Sequence, residues 1–292
     1  KVSGGRIESV CGSAPSFAFV GDGGPGEGPR RQLWSQFEGR LPIVLAANPS
    51  QWMASVLAEP ALSLRSPVLW AGAANASPSM FPRDKIRDGF DLPAHVYHLR
   101  CGPVLLWMLD ASLGFSDDGA QAGFMRKTSQ EPGVRYRLAV MNHGPASSGP
   151  RGGHAEGTAF APLARTLDVD LVVSGQDGLY ERLFVDGRPV IVTGASGAHV
   201  ERRQRWLPNS EALVSTPHWV DVTVTTSSAY SLQAFGLEGT LLDVFRGSKD
   251  RPPAVEAHAY APLMWLLSAL GVLFGTLFVV ALRLLRPSGG SR

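Results

Sequence analysis

The chain has 292 residues, enough for one large domain or two small ones around a sizeable core. Apolar residues make up 44% and charged residues 18%, which excludes a disordered or low-complexity chain. A formal charge of +2 lacks the basic excess of a nucleic-acid binder, and two cysteines are too few for a disulfide scaffold or a zinc ribbon. Residues 1–14 are read as an N-terminal segment. From there, short apolar runs are bounded by Gly, Pro, Asn and Asp. Phe17–Val20 leads into GDGGPGEGP, Leu41–Ala46 into ANPSQW, and Val68–Trp70 into AGAANAS. Val96–Leu99 and Val104–Leu109 are joined by a short RCGP turn. Arg137–Met141 leads into NHGP, Leu171–Ser174 into GQDG, and Val190–Thr193 into GASG. Helices are predicted near 30–38, 51–58 and 158–167. After residue 216 the pattern alternates as in strands, and LEG between Ser231–Phe235 and Thr240–Phe245 reads as a hairpin turn. Strands ending in Gly-rich loops, with helices between them, are an α/β arrangement whose site lies at the carboxyl ends of the strands.

The end of the chain reads differently. Residues 247–260 are polar and contain proline, as in a tether. Leu263 to Leu282 is a run of 20 residues without a charge. As a helix it reaches about 30 Å, the thickness of a bilayer core. A membrane helix is therefore predicted over 261–283, with a short tail at 284–292. Arg283 and Arg286 put that tail on the cytoplasmic or matrix side, and Trp265 suits the interface. The head is then expected on the lumenal or exoplasmic side, or in the mitochondrial intermembrane space. Which membrane is involved stays open. This topology implies an exported head, so a leader is expected to have been removed. Gly271 and Gly275 form a GxxxG step that allows close helix packing in lipid.

The loops GDGG, ANPSQW, GAAN, NHGP and SGQDGLYER occur in sequence, each after a strand. Together they resemble the calcineurin-like metallophosphoesterases, in particular the purple acid phosphatase branch, whose motifs read roughly GDxG, GDNxY, GNHD, HxP and GHxH. VLLWMLDAS (104–112), PASSG (145–149), DVDLVVSGQDGLYER (168–182) and LQAFGLEGTLLDVF (232–245) resemble the flanking segments. The resemblance implies a four-layer α/β/β/α sandwich over 15–246, plus the C-terminal membrane helix. Its two-metal chemistry needs carboxylate, imidazole and amide donors. Carried over position by position, Asp22 and His143 keep their donors. Asn48 stands where a bridging Asp is expected, Gln51 for a Tyr, Ala73 for an Asn, Ala74 for a catalytic His, and Gln176 and Gly178 for two His. With so few donors and one carboxylate against two divalent ions, no dinuclear centre, no cofactor and no phosphoesterase turnover are expected.

Simpler roles fit the donors that remain. Asp22 can accept from neighbouring loop amides, and His143 can be a satisfied pocket histidine. GDGGPGEG lacks the Lys and Ser/Thr of a phosphate-binding P-loop. Ser147, Ser148 and Ser196 do not sit in GxSxG, and the remaining histidines show no zinc spacing. GASG (194–197) reads as a backbone turn. Glu201–Arg205 (ERRQR) reads as a solvated basic face or as a contact to a partner or lipid headgroup. Cys11 and Cys101 can pair in an exported head, but the sequence fixes no distance between them. The expected function is a catalytically inactive, single-pass membrane protein that serves as a scaffold or accessory subunit of a membrane complex, with protein partners and no nucleic acid. The alternatives are a membrane-tethered metal-dependent phosphatase with altered ligands, and a module that binds an anion or nucleotide in the altered pocket.

Overall fold

The computed structural model describes residues 15–21, 43–45, 68–70, 96–153, 155–175, 177–196, 199–225 and 228–249. The chain divides into units 1–250 and 251–292, and all described residues belong to the first. Two sheets form it. The first runs β13-β12-β11-β1-β2-β3, built from β1 (Ser16–Val20), β2 (Ile43–Leu45), β3 (Val68–Trp70), β11 (His218–Val224), β12 (Ala229–Gly236) and β13 (Leu241–Ser248). The second runs β10-β8-β9-β7-β6-β5-β4. Its strands are β4 (Tyr97–Cys101), β5 (Val104–Leu109), β6 (Tyr136–Met141), β7 (Leu171–Ser174), β8 (Tyr180–Val185), β9 (Arg188–Thr193) and β10 (Ser210–Val214). Helices α1 (Ala120–Ser129) and α2 (Ala155–Thr166) cross between parallel strands β5, β6 and β7.

Alternation along β5 shows how the layers are sealed. All six of its residues are buried. Val104, Leu106 and Met108 join the core between the two sheets, with Phe17, Phe19, Val220 and Leu232 from the first sheet. Leu105, Trp107 and Leu109 face the other way, into a second core with Met125, Phe160 and Leu163 from the helices. A strand covered on both faces reads as a continuous apolar run for this reason. The Trp107 indole N–H donates to the Thr128 hydroxyl at 2.8 Å, which fixes α1 against the sheet.

These elements supply three layers, helix, sheet and sheet. The expected fourth layer, with the helices near 30–38 and 51–58, lies outside the described residues. So does 263–282; among the described residues no helix is long and apolar enough to cross a membrane. Strand β13 continues to Ser248, two residues into the stretch read as tether. Lys249 then pairs with Asp168 at 2.8 Å and with Asp170 at 3.4 Å. The head therefore ends later than the sequence pattern suggested. Residues 247–249 were missed because a Gly-Ser-Lys triplet carries turn composition rather than strand composition. Cys101, at the end of β4, is disulfide-bonded, and Cys11 is the one other cysteine of the sequence.

Candidate functional site

The carboxyl ends of β1, β6, β7 and β9 meet where the sequence motifs fall. The backbone is crowded there. A Cβ on Gly21 would overlap the Thr193 carbonyl, and one on Gly194 would overlap the Asp177 carbonyl. Only glycine permits this approach of main chains. The Gly21 N–H donates to the Ser196 hydroxyl at 2.6 Å. Ser196 is fully buried, so it holds this junction together and is no exposed nucleophile.

The stretch from Gly175 to Arg182 organises the site. The buried Asp177 accepts from the Arg151 N–H at 2.9 Å and the Gly152 N–H at 3.2 Å, pinning the far end of the loop between β6 and α2. Glu181, also fully buried, accepts from the Ser148 N–H at 2.7 Å and the Ser148 hydroxyl at 2.5 Å. Strand periodicity turns Tyr180 and Arg182 to the opposite side. There the Tyr180 hydroxyl donates to Asp243 at 2.6 Å and Arg182 Nε donates to Asp243 at 2.8 Å. Arg182 also pairs with Glu211, and its guanidinium lies 5.0 Å over the Phe245 ring. This cluster joins β8 and β10 of one sheet to β13 of the other. Burial works against the Arg182 charge, but its bonds to Asp243 and Glu211 outweigh that and hold its pKa above the ordinary value. Burial opposes the Asp243 charge too, yet the Arg182 and Tyr180 bonds keep its carboxyl below the usual range. Burial and the Asp243 charge push the Tyr180 phenol up.

Position 178 is occupied from outside. A Cβ there would meet the His199 carbonyl at 2.8 Å and the Glu201 Cγ at 3.1 Å. Glu201 Oε2 accepts from the Gly178 N–H at 2.6 Å and pairs with Arg151 at 3.0 Å, while Oε1 lies 3.1 Å from His199 Nε2. Burial disfavours the Glu201 charge, but the Gly178 N–H, His199 and Arg151 prevail and hold its pKa low. The segment is fixed further by the Gln204 and Arg205 N–H groups, which donate to the Ser148 carbonyl at 2.8 and 3.2 Å.

Two of the positions carried over from the family motifs fall among the described residues. His143 is half-buried on the turn after β6, and Gly178 lies beyond β7; the strands are parallel neighbours, with Met141 opposite Ser174. Asp22, Asn48, Gln51, Ala73, Ala74 and Gln176 lie outside the described residues, as do Gly271 and Gly275. A metal centre with a ligand at each motif position does not fit the described part of the site. Position 178 supplies no donor, and the room for one is filled by Glu201. Among the described residues no group of three His, Cys, Asp or Glu is placed to hold an ion. Sequence reasoning missed Asp177, Glu181, Arg151, Glu201 and Asp243. The signal available was that SGQDGLYER keeps its Asp, Tyr, Glu and Arg while both expected His are absent.

No protein-family model and no curated protein matches the sequence. Solved structures do, and they define a metallophosphoesterase fold. The chain is similar to a purple acid phosphatase from seeds of yellow lupin (Lupinus luteus), with a TM-score of 0.66 and 14% identity over 81% of this chain. It spans 54% of that chain, about half its length. It is similar to GAP50, the anchor in the inner membrane complex of Plasmodium, with a TM-score of 0.63 and 14% identity over 82% of this chain and 90% of that one. PhoD aligns with a TM-score of 0.53 and 8% identity, over 80% of this chain and 68% of its own. The likeness is one of fold.

Proposed function

We propose that the chain is a catalytically inactive, membrane-anchored member of this fold that serves as a scaffold or accessory subunit of a membrane complex. One observation carries the reading. Within a single eight-residue motif, the side chains of Asp177, Tyr180, Glu181 and Arg182 all hold the fold together. The two positions where metal ligands are expected hold Gln176 and Gly178 instead. At Gly178 the neighbouring loop fills the space. Selection for the fold without selection for the ions leaves this pattern.

The tether is proposed from the uncharged run 263–282, with the tail on the cytoplasmic or matrix side and the head opposite. A disulfide at Cys101 suits an oxidising compartment. Likeness over 90% of a chain described as a membrane-complex anchor supports the scaffold role. The test uses the full chain purified in mild detergent. We expect substoichiometric metal, no turnover of a chromogenic phosphate ester, and stable co-purifying membrane proteins. Two bound metals with turnover would overturn the proposal in favour of a tethered phosphatase.

A further inference from the structure

The loop that closes on Gly178 has an outward side with no role in that closure. Trp206 is 70% exposed, more than any other large hydrophobic side chain among the described residues. It sits between two fixed points. The Arg205 N–H donates to the Ser148 carbonyl, and Leu207 packs against the core beneath the helices. The indole is therefore held out by a pinned backbone rather than left over from a loose loop. Arg202, Arg203 and Arg205 beside it are exposed. Arg202 and Arg203 have no bonding partner among the described residues. Arg205 makes one long bond, 3.4 Å to the Pro150 carbonyl. Glu201 does not cancel this charge, because its carboxylate points inward to Gly178, Arg151 and His199.

Two arginines, Arg202 and Arg203, and one indole on a rigid loop complement an anionic, partly apolar surface, while Arg205 folds back over Pro150 and Gly152. A protein partner of standard size needs about 800 Å² on each side, and one indole beside an inward-turned Leu207 offers far less. A bilayer interface asks for less: an aromatic ring at headgroup depth and basic side chains at the phosphates. A bilayer is also within reach if the chain is tethered as proposed above. The 11 residues of 250–260 extend to about 38 Å, long enough that the tether does not by itself orient the head.

We propose that the loop Glu201–Leu207 docks on anionic lipid, with Trp206 at headgroup depth and Arg202 and Arg203 on the phosphates, and thereby orients the head on its membrane. This rests on the membrane-anchored reading. The test reconstitutes the full chain into nanodiscs of phosphatidylcholine alone or enriched in phosphatidylglycerol, each containing brominated lipid. The emission of Trp206 is isolated by subtracting the spectrum of Trp206→Phe. We expect Trp206 to be quenched at least about twofold more in the anionic discs, with the difference abolished by Arg202→Gln/Arg203→Gln and by high salt. Equal quenching in both discs overturns the proposal. Shielding of Trp206 by an acidic polypeptide in solution but by neither disc also overturns it, and assigns the loop to an acidic protein. A chain that fails to enter discs at all sinks the anchoring premise instead, and this is seen on size exclusion before any spectrum is taken.

Discussion

The loop 175–178 and the strand that follows it, β8, are joined in sequence and have opposite requirements. Among the described residues of the loop, the fold depends on one side chain, Asp177, and on main-chain groups. In the strand, three consecutive side chains are committed. Tyr180 and Arg182 reach Asp243 across to the other sheet, and Glu181 holds Ser148 on the opposite face. On the proposed reading, this contrast locates where ligands were given up: position 178 carries no side chain that the fold needs, whereas Tyr180, Glu181 and Arg182 each satisfy a buried partner.

Arg182 is where the strand and the loop differ most. Arg182→Met leaves the Asp243 and Glu211 carboxylates without their cation, and should cost about 3–5 kcal/mol in urea unfolding. If the loss is within error of zero, the strand is no more constrained than the loop. Reduction of the Cys101 disulfide should cost about 2–5 kcal/mol, seen as a lower midpoint with dithiothreitol. Ser148→Ala removes a donor from the buried Glu181 and should cost about 1–3 kcal/mol. Gly178→Ala tests the loop directly. Its Cβ must push back the His199 carbonyl, for about 1–2 kcal/mol of strain, a small price beside that of Arg182→Met.

The smallest net effect is the pH dependence, because two groups oppose each other. Burial lowers the His218 pKa to about 4, and burial raises the Asp170 pKa to about 6. The unfolded chain takes up the His218 proton first, so that group withdraws stability as pH falls from the ordinary histidine value toward 4. The folded chain takes up the Asp170 proton first, so that group adds stability as pH falls through 6. Each is worth about 3 kcal/mol at most, and the two slopes nearly cancel. Asp170→Asn should expose the His218 slope, with stability falling steadily on acidification. His218→Asn should expose the reverse slope above the ordinary carboxylate range, below which the lowered Asp243 and Glu201 carboxyls withdraw stability.

Much of the fold is legible in sequence. Strands β5 and β7 carry continuous apolar runs between Gly, Pro and polar punctuation, and they form where that pattern put them. Helix α1 was missed for a physical reason. Its buried side includes Gln121 and Thr128, which bond to Asp110 and Trp107, so no apolar period marks it. Strand β8 was read only as a motif, since Tyr-Glu-Arg has the polarity of a catalytic loop until its partners at Ser148 and Asp243 are known. The site was half legible. The glycine at position 178 is visible in the sequence. The closure of Glu201 on it, 23 residues on, is a long-range contact that no local pattern encodes.

The most direct test is the metal content of the unaltered full chain after equilibration with manganese, iron(II) or zinc and removal of free ions. The account predicts substoichiometric metal of every kind, with phosphate-ester turnover at the buffer level. A stable pair of ions in each chain, retained through gel filtration, would contradict it.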